Sequence, residues 1–302
     1  MQEKEVKGKV RQFYDHVGWQ AGEDGLYQNA SYEDLRSVSQ EYIHKCHLRV
    51  NRHLAQQGKY LLDAGSGPVQ YSEYETYSAG YSKRVCMDLS FVALKEARKR
   101  LGEKGFYVVS DISKLPFKSE VFDGIVSLHT IHHIPLDEKV QTYKDLLACL
   151  KPGKTMVTVD GWGYSPLMAK SERLLSITTR LLTRKTVKDQ HKQNKENRSQ
   201  KQEELKEGVR ALNQSRAGTF VEKLDAKWFK RTMTGQLSFK ILVWRSVSTR
   251  FLRTMIQPEW AGRFWLKILY CLEEIFPRFL GENGSYPMIV MEKPGTDKVS
   301  QI

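Results

Sequence analysis

Three aspartates stand at or near the ends of three successive apolar runs. Asp63 closes the run in LLDAGSGP, Asp88 closes RVCMD, and Asp111 closes FYVVSD. Gly65 and Gly67 follow the first acid, a turn that lets backbone N–H groups approach a ligand without Cβ interference. A dinucleotide fingerprint would place its third glycine where Gln70 stands, to admit close packing under a pyrophosphate. Pro68 and Val69 intervene instead, and a carboxylate at the mouth of the loop repels phosphates but attracts an ammonium group. Asp88, with Leu89 after it, is placed to accept both hydroxyls of a ribose. Asp111 beside apolar Ile112 suits an adenine, the acid accepting from the exocyclic amine and the alkyl chain packing on the ring face. An amino acid end, a ribose and an adenine together describe S-adenosylmethionine.

Three histidines, His129, His132 and His133, follow the next apolar run, FDGIVSLH. Methyl transfer is an in-line displacement with a good leaving group, so positioning and desolvation supply most of the catalysis. A hydroxyl or carbon nucleophile must still lose a proton, which an imidazole can accept near neutral pH. The expected base is His133 ahead of His132, and a purely structural role stays open for each histidine. No paired acid or cysteine pattern accompanies them, so no metal site is expected. Cys46, Cys86, Cys149 and Cys271 lie far apart without a CxxC pair, which fits a reduced, cytoplasmic protein.

These residues need a scaffold, and the spacing of apolar runs supplies one. From Tyr60, short runs rich in Val, Ile, Leu and Tyr alternate with helical stretches: YLLDAG, RVCMDLS, FYVVSD, FDGIVSLH and TMVTVDGW are expected strands. Strands followed by crossovers indicate a parallel sheet covered on both faces, with ligands at the carboxyl ends. LSFKILVWRSVS and YPMIVMEK bring the count to seven, with an amphipathic helix around Trp260 to Phe276 between them. The expected fold is therefore α/β and Rossmann-like, a seven-stranded, mostly parallel sheet. Its expected divisions are a helical lid over 1–58, the cofactor-binding core over 59–163, a basic helical insertion over 164–236, and C-terminal strands and helix over 237–302. Tyr32 to Leu54 and residues 70–79 read as helical, and the tyrosines Tyr71, Tyr74, Tyr77 and Tyr81 read chiefly as packing residues, with Tyr71 nearest the ligand.

LLDAGSGP, VCMDLS, VVSDISKLPF, FDGIVSLHTIHHI and LACLKPGKTMVTV resemble the successive motifs of the class I S-adenosylmethionine-dependent methyltransferases, in the methyltransferase type 11 branch similar to the ubiquinone and menaquinone biosynthesis enzymes. The resemblance implies that Asp63, Gly65 and Gly67 hold the methionine end, Asp88 the ribose, and Asp111 with Ile112 the adenine. It further implies that Leu128 and His129 line the cofactor, and that Tyr14, in the aromatic stretch FYDHVGW, belongs to a lid. The chain departs from the family pattern in writing GSGPV for GCGxG and in placing Lys154 where a glycine is common.

The 302 residues carry a net charge of +13, with 40% hydrophobic and 27% charged residues, within the globular range. Between Asp160 and Met255 stand 21 lysines and arginines against nine acids, so nearly the whole excess lies in one third of the chain. Within it, Leu167, Leu174 and Leu181 are seven apart, with Met168, Leu175 and Leu182 beside them. Such a helix can cap the active site, lie on a membrane surface through residues 165–185, or serve nucleic acid. The core of the basic run lacks aromatic stacking platforms, which disfavours RNA. The chain shows neither a secretory leader nor an apolar run long enough to span a bilayer. The expected activity is methyl transfer to O or C of a small-molecule or lipid-like, anionic acceptor, in the cytoplasm with peripheral membrane contact. The alternatives are an RNA methyltransferase and a silent cofactor-binding partner subunit.

Overall fold

A computed structural model of the protein describes residues 3–20, 27–170, 173 and 219–295. Seven strands form one sheet: β1 Gly58–Ala64, β2 Tyr81–Asp88, β3 Gly105–Val109, β4 Gly124–Leu128, β5 Thr155–Val159, β6 Phe239–Arg245 and β7 Tyr286–Glu292. Their order is β3-β2-β1-β4-β5-β7-β6, with the first five parallel and β7 antiparallel to both neighbours. The inner strands are buried on both faces, Leu61, Leu62, Ile125, Val126, Met156 and Val157 all at 0% exposure, which is why they read as continuous apolar runs. One core forms around Leu62, Ile125 and Met156, the other around Leu61, Val126 and Val157.

The crossovers and flanks are carried by α1 Glu3–Phe13, α2 Gln40–Leu48, α3 Ser72–Thr76, α4 Phe91–Leu101, α5 Leu136–Cys149, α6 Ala226–Met233, α7 Thr249–Met255, α8 Gly262–Ile275 and α9 Pro277–Asn283, and residues 166–170 are helical as well. Ser90, Asp225 and Ser248 cap α4, α6 and α7 by accepting from backbone amides. Two expected helices are shorter than their apolar rhythm. Residues 33–39 stay out of α2 because Asp34 accepts from the Arg36 guanidinium and the Ser39 hydroxyl, local bonds that compete with helix. The stretch 70–79 yields only Ser72–Thr76 as helix, and Tyr74, Tyr77 and Tyr81 are buried core residues.

Of segment 1–58, α1 and the turn Tyr14–Gly18 lie over the carboxyl ends of the strands, whereas α2 packs into a third core. There Val38, Tyr42, Ile43 and Cys46 meet Leu252, Ile256 and Leu266, over a buried Glu273 that accepts from Tyr42, Arg49 and Ser246. In α6, Phe229 and Met233 fill the main core at 0% exposure. Residues 174–185 of the amphipathic stretch, and the basic run to 216, lie outside the described residues.

Candidate active site

Four acids end up at the carboxyl edge of the sheet, three of them the ones singled out in the sequence. Asp63 ends β1 but is not a free anion: Arg84, one strand over, donates to its Oδ2 through Nε at 3.0 Å and again through Nη2. Both side chains are buried, and Arg84 also donates to the Tyr74 carbonyl, tying β1 and β2 to α3. Asp63 still reaches the cavity wall, but as half of an ion pair. Removing Arg84 would leave a buried charge uncompensated, so Arg84→Met is expected to cost about 3–5 kcal/mol of stability in urea unfolding.

The glycine turn works differently from the expectation that its amides face the ligand. Gly65 and Ser66 both donate to the Met87 carbonyl, and Gly67 donates to Asp88 Oδ2 at 2.9 Å. What the glycines supply is room. Gly65 and Gly67 have φ of 78° and 53°, and a Cβ on Gly65 would sit 2.2 Å from Thr130, one on Gly67 2.9 Å from Trp19. Gly65→Ala is therefore expected to force the loop off Thr130 and weaken cofactor affinity at least about tenfold by calorimetry, with a lowered melting temperature.

Asp88 is held at both oxygens, Oδ2 by the Gly67 amide and Oδ1 by the Ser90 amide at 2.8 Å. Burial nevertheless raises its pKa to about 6, the two amides working against that shift. Asp111 Oδ1 accepts from the amide and hydroxyl of Ser113, and its Oδ2 lies 3.0 Å from Lys7 Nζ. Lys7 belongs to α1 and reaches Glu138 as well, at 2.7 Å. Asp15 accepts from the Ser90 hydroxyl at 2.5 Å. These contacts latch the N-terminal segment across the strand ends.

One cavity runs beneath this segment and gathers Asp63, Gly65, Gly67, Asp88, Leu89, Asp111, Ile112, Leu128, His129, Tyr14 and His133. The residues fit S-adenosylmethionine: two Cβ-free positions open the cradle, Asp88 presents a fixed carboxylate, and the Trp19 Nε1 donor is buried at the wall without a partner. Trp19 stacks on Tyr14 with ring centroids 5.2 Å apart.

A second cavity adjoins the first and shares Tyr14, Asn29, Gln70, Tyr74, His129 and His133 with it. Its own walls are His132, Tyr71, Thr219, Val221, Lys223, Glu33, Arg245 and Tyr286. The two adjacent histidines are held in unlike ways. His133 donates from Nδ1 to the Phe220 carbonyl and accepts at Nε2 from the Tyr14 hydroxyl, each at 2.7 Å. With both nitrogens engaged, it ties the Tyr14 turn to Phe220. His132 Nδ1 meets Asp160 Oδ1 at 2.5 Å, and its Nε2 makes no hydrogen bond among the described residues. Burial pushes Asp160 up to about 6 and both imidazoles down to about 3, so at pH 7 a carboxylate faces a neutral ring with its proton on Nδ1. His129 has φ of 55° and packs edge-on against Trp244, and burial lowers its pKa to about 4.

Sequence reasoning missed Asp160, although it is a fourth acid just past a strand end, after TMVTV. It also missed Lys139, fully buried on α5, whose ammonium donates to the carbonyls of Ile131, Ile134 and Glu222. That lysine staples residues 219–223 to the histidine turn and so sets the second cavity's wall. No local pattern marks it.

Residues 62–158 match the family described as a methyltransferase domain. Over 103 residues the chain is 32% identical to a malonyl-[acyl-carrier protein] O-methyltransferase of Legionella pneumophila, an alignment covering 33% of this chain and 36% of that protein. The chain thus spans about a third of the length of the curated relative it matches. Among solved structures, DhpI in complex with SAH is similar over 98% of this chain and 100% of its own, with a TM-score of 0.52 and 10% identity. The geranyl diphosphate C-methyltransferase of Streptomyces coelicolor A3(2) is similar over 95% and 97%, with a TM-score of 0.50 and 15% identity. These likenesses establish the fold. Residues 62–158 thus carry a methyltransferase domain. No helix among the described residues is long and apolar enough to cross a membrane.

Proposed function

We propose that the protein methylates a hydroxyl oxygen or a carbon of a small, anionic or lipid-like acceptor bound in the second cavity. The methyl group comes from the sulfonium of S-adenosylmethionine. Asp63, Gly65 and Gly67 would hold its methionine end, Asp88 its ribose, and Asp111 with Ile112 its adenine, while Leu89, Leu128, His129 and Tyr14 close the walls. His132 takes the acceptor's proton at Nε2, and Asp160 keeps the ring in the tautomer that leaves this nitrogen free. His133, favoured in the sequence reading, positions the lid through Tyr14.

The observation that carries this reading is the second cavity itself, which opens from the cofactor cavity and brings the His132–Asp160 pair beside an aromatic and cationic wall. Arg245 is paired with Glu33, but its Nε is buried without a partner. The Lys223 ammonium, lying beside Gly161, has no carboxylate paired to it among the described residues. A cationic wall of this kind favours an acceptor that carries a carboxylate or phosphate. A similar curated protein is named for malonyl-[acyl-carrier protein] and a protein of similar fold for geranyl diphosphate, both anionic.

The test is release of S-adenosylhomocysteine on incubation with S-adenosylmethionine and panels of hydroxy acids, acyl thioesters, isoprenyl phosphates and RNA. Turnover is expected with anionic small molecules and its loss in Lys223→Met. Turnover with RNA alone would overturn the reading, as would a cofactor-binding chain that turns over nothing.

A further inference from the structure

The largest apolar feature left unused by the site is on α8 and α9. Buried Gly262, Leu266 and Glu273 mark the face of α8 that packs against α2 and α7. About a third of a turn away, Arg263 and Lys267 are exposed. The remaining face carries Phe264, Trp265, Leu272 and Ile275, exposed at 57%, 55%, 43% and 65%, and continues into Phe276 and Phe279 at 53% and 59%. Scattered exposed apolar residues are ordinary, but six large ones adjoining on one helical unit mark a contact surface.

We propose that this face docks the protein on the surface of an anionic lipid bilayer. Three observations favour lipid over another occupant. The face is aromatic, with Trp260 exposed at its N-terminal end, and tryptophan and phenylalanine suit the headgroup boundary. Its flank is basic through Arg263, Lys267 and Arg278, while Glu274 is neutralised by Arg49 and Arg52. A second copy would bring the same basic flank against this one, whereas an anionic surface complements it. The surface lies on described residues distinct from the stretch 165–185 and stands whatever the acceptor is.

Flotation of the full-length protein with phosphatidylcholine vesicles, with and without one quarter phosphatidylglycerol, tests this. The native protein is expected to float with the anionic vesicles, less with neutral ones, and less at about half-molar salt, where screening is within a few ångström. Trp265→Ser with Phe279→Ser is expected to lower the vesicle partition coefficient at least about tenfold while cofactor affinity and melting temperature hold. Quenching of native tryptophan emission by brominated lipid gives a second readout that needs no variant. Three results would each overturn the proposal: no flotation with anionic vesicles, equal flotation of native and variant protein, or a dimer in sedimentation that the two substitutions dissolve.

Discussion

Asp88→Ala is expected to abolish measurable cofactor binding in calorimetry. The carboxylate has two tasks here. It would accept the ribose hydroxyls, and charge-assisted hydrogen bonds of that kind contribute about 1.5–3 kcal/mol each, so losing two weakens affinity about 10²-fold or more. It also holds the Gly67 and Ser90 amides, one on each oxygen, and so fixes both the glycine turn and the start of α4. Asp88→Asn separates the tasks. The amide keeps the volume, but its NH₂ must face one of two N–H donors, so the loop shifts and affinity falls without the fold failing. The pH dependence follows from the same group. Burial raises Asp88 to about 6, so the native protein pays to ionise it, and the carboxylate form is complete only above that value. Cofactor affinity is expected to decline as pH falls through about 6, whereas the group's own effect on folding stability runs the other way, most favourable below the unfolded value near 3.9 and lost as pH rises through about 6. Unchanged affinity in Asp88→Ala, or an affinity flat between pH 5 and 8, would remove Asp88 from the site.

Much of this site was legible because it is built from strand ends. A parallel sheet forces its strands to be apolar throughout, so a polar residue at the end of a run stands out, and Asp63, Asp88 and Asp111 did. All of the residues singled out for the cofactor line one cavity. What the sequence hid was pairing across the chain. Arg84 follows Ser82 and Lys83 ahead of the apolar residues Val85 to Met87 and reads as a polar strand start until β2 pairs with β1 and brings it against Asp63. The glycine turn looked like a row of donors, but parallel pairing hands its amides to Met87 and Asp88. The unlike bonding of the two histidines was likewise not a local property. It depends on Tyr14 reaching across 119 positions to His133 and on Asp160 reaching back 28 to His132. Arg245 and Glu33 lie 212 positions apart, and nothing in either neighbourhood announces the other.

His132→Ala is expected to lower kcat by about 10²–10⁴ while leaving cofactor affinity unchanged, because the ring lines the second cavity and not the first. Asp160→Asn should cost a comparable amount for a different reason. The amide NH₂ would donate to Nδ1, move the ring proton to Nε2 and leave no lone pair facing the acceptor, the logic by which a carboxylate fixes a catalytic tautomer. Since the two act as one unit, the double variant should be little worse than either single one. The sign of the pH profile follows from the pair. With Asp160 at about 6, a second proton enters as pH falls through that value, the neutral acid can donate to Nδ1, and base capacity ends. kcat should therefore fall below pH 6, and Asp160→Asn should flatten that limb. His133→Ala is the contrast: it frees Tyr14, so it should weaken cofactor affinity and leave kcat at saturation nearly intact. The reverse pattern, kcat lost in His133→Ala and kept in His132→Ala, would return the role of base to His133. Full activity in both would mean that the acceptor arrives already deprotonated, with the site contributing position and charge alone.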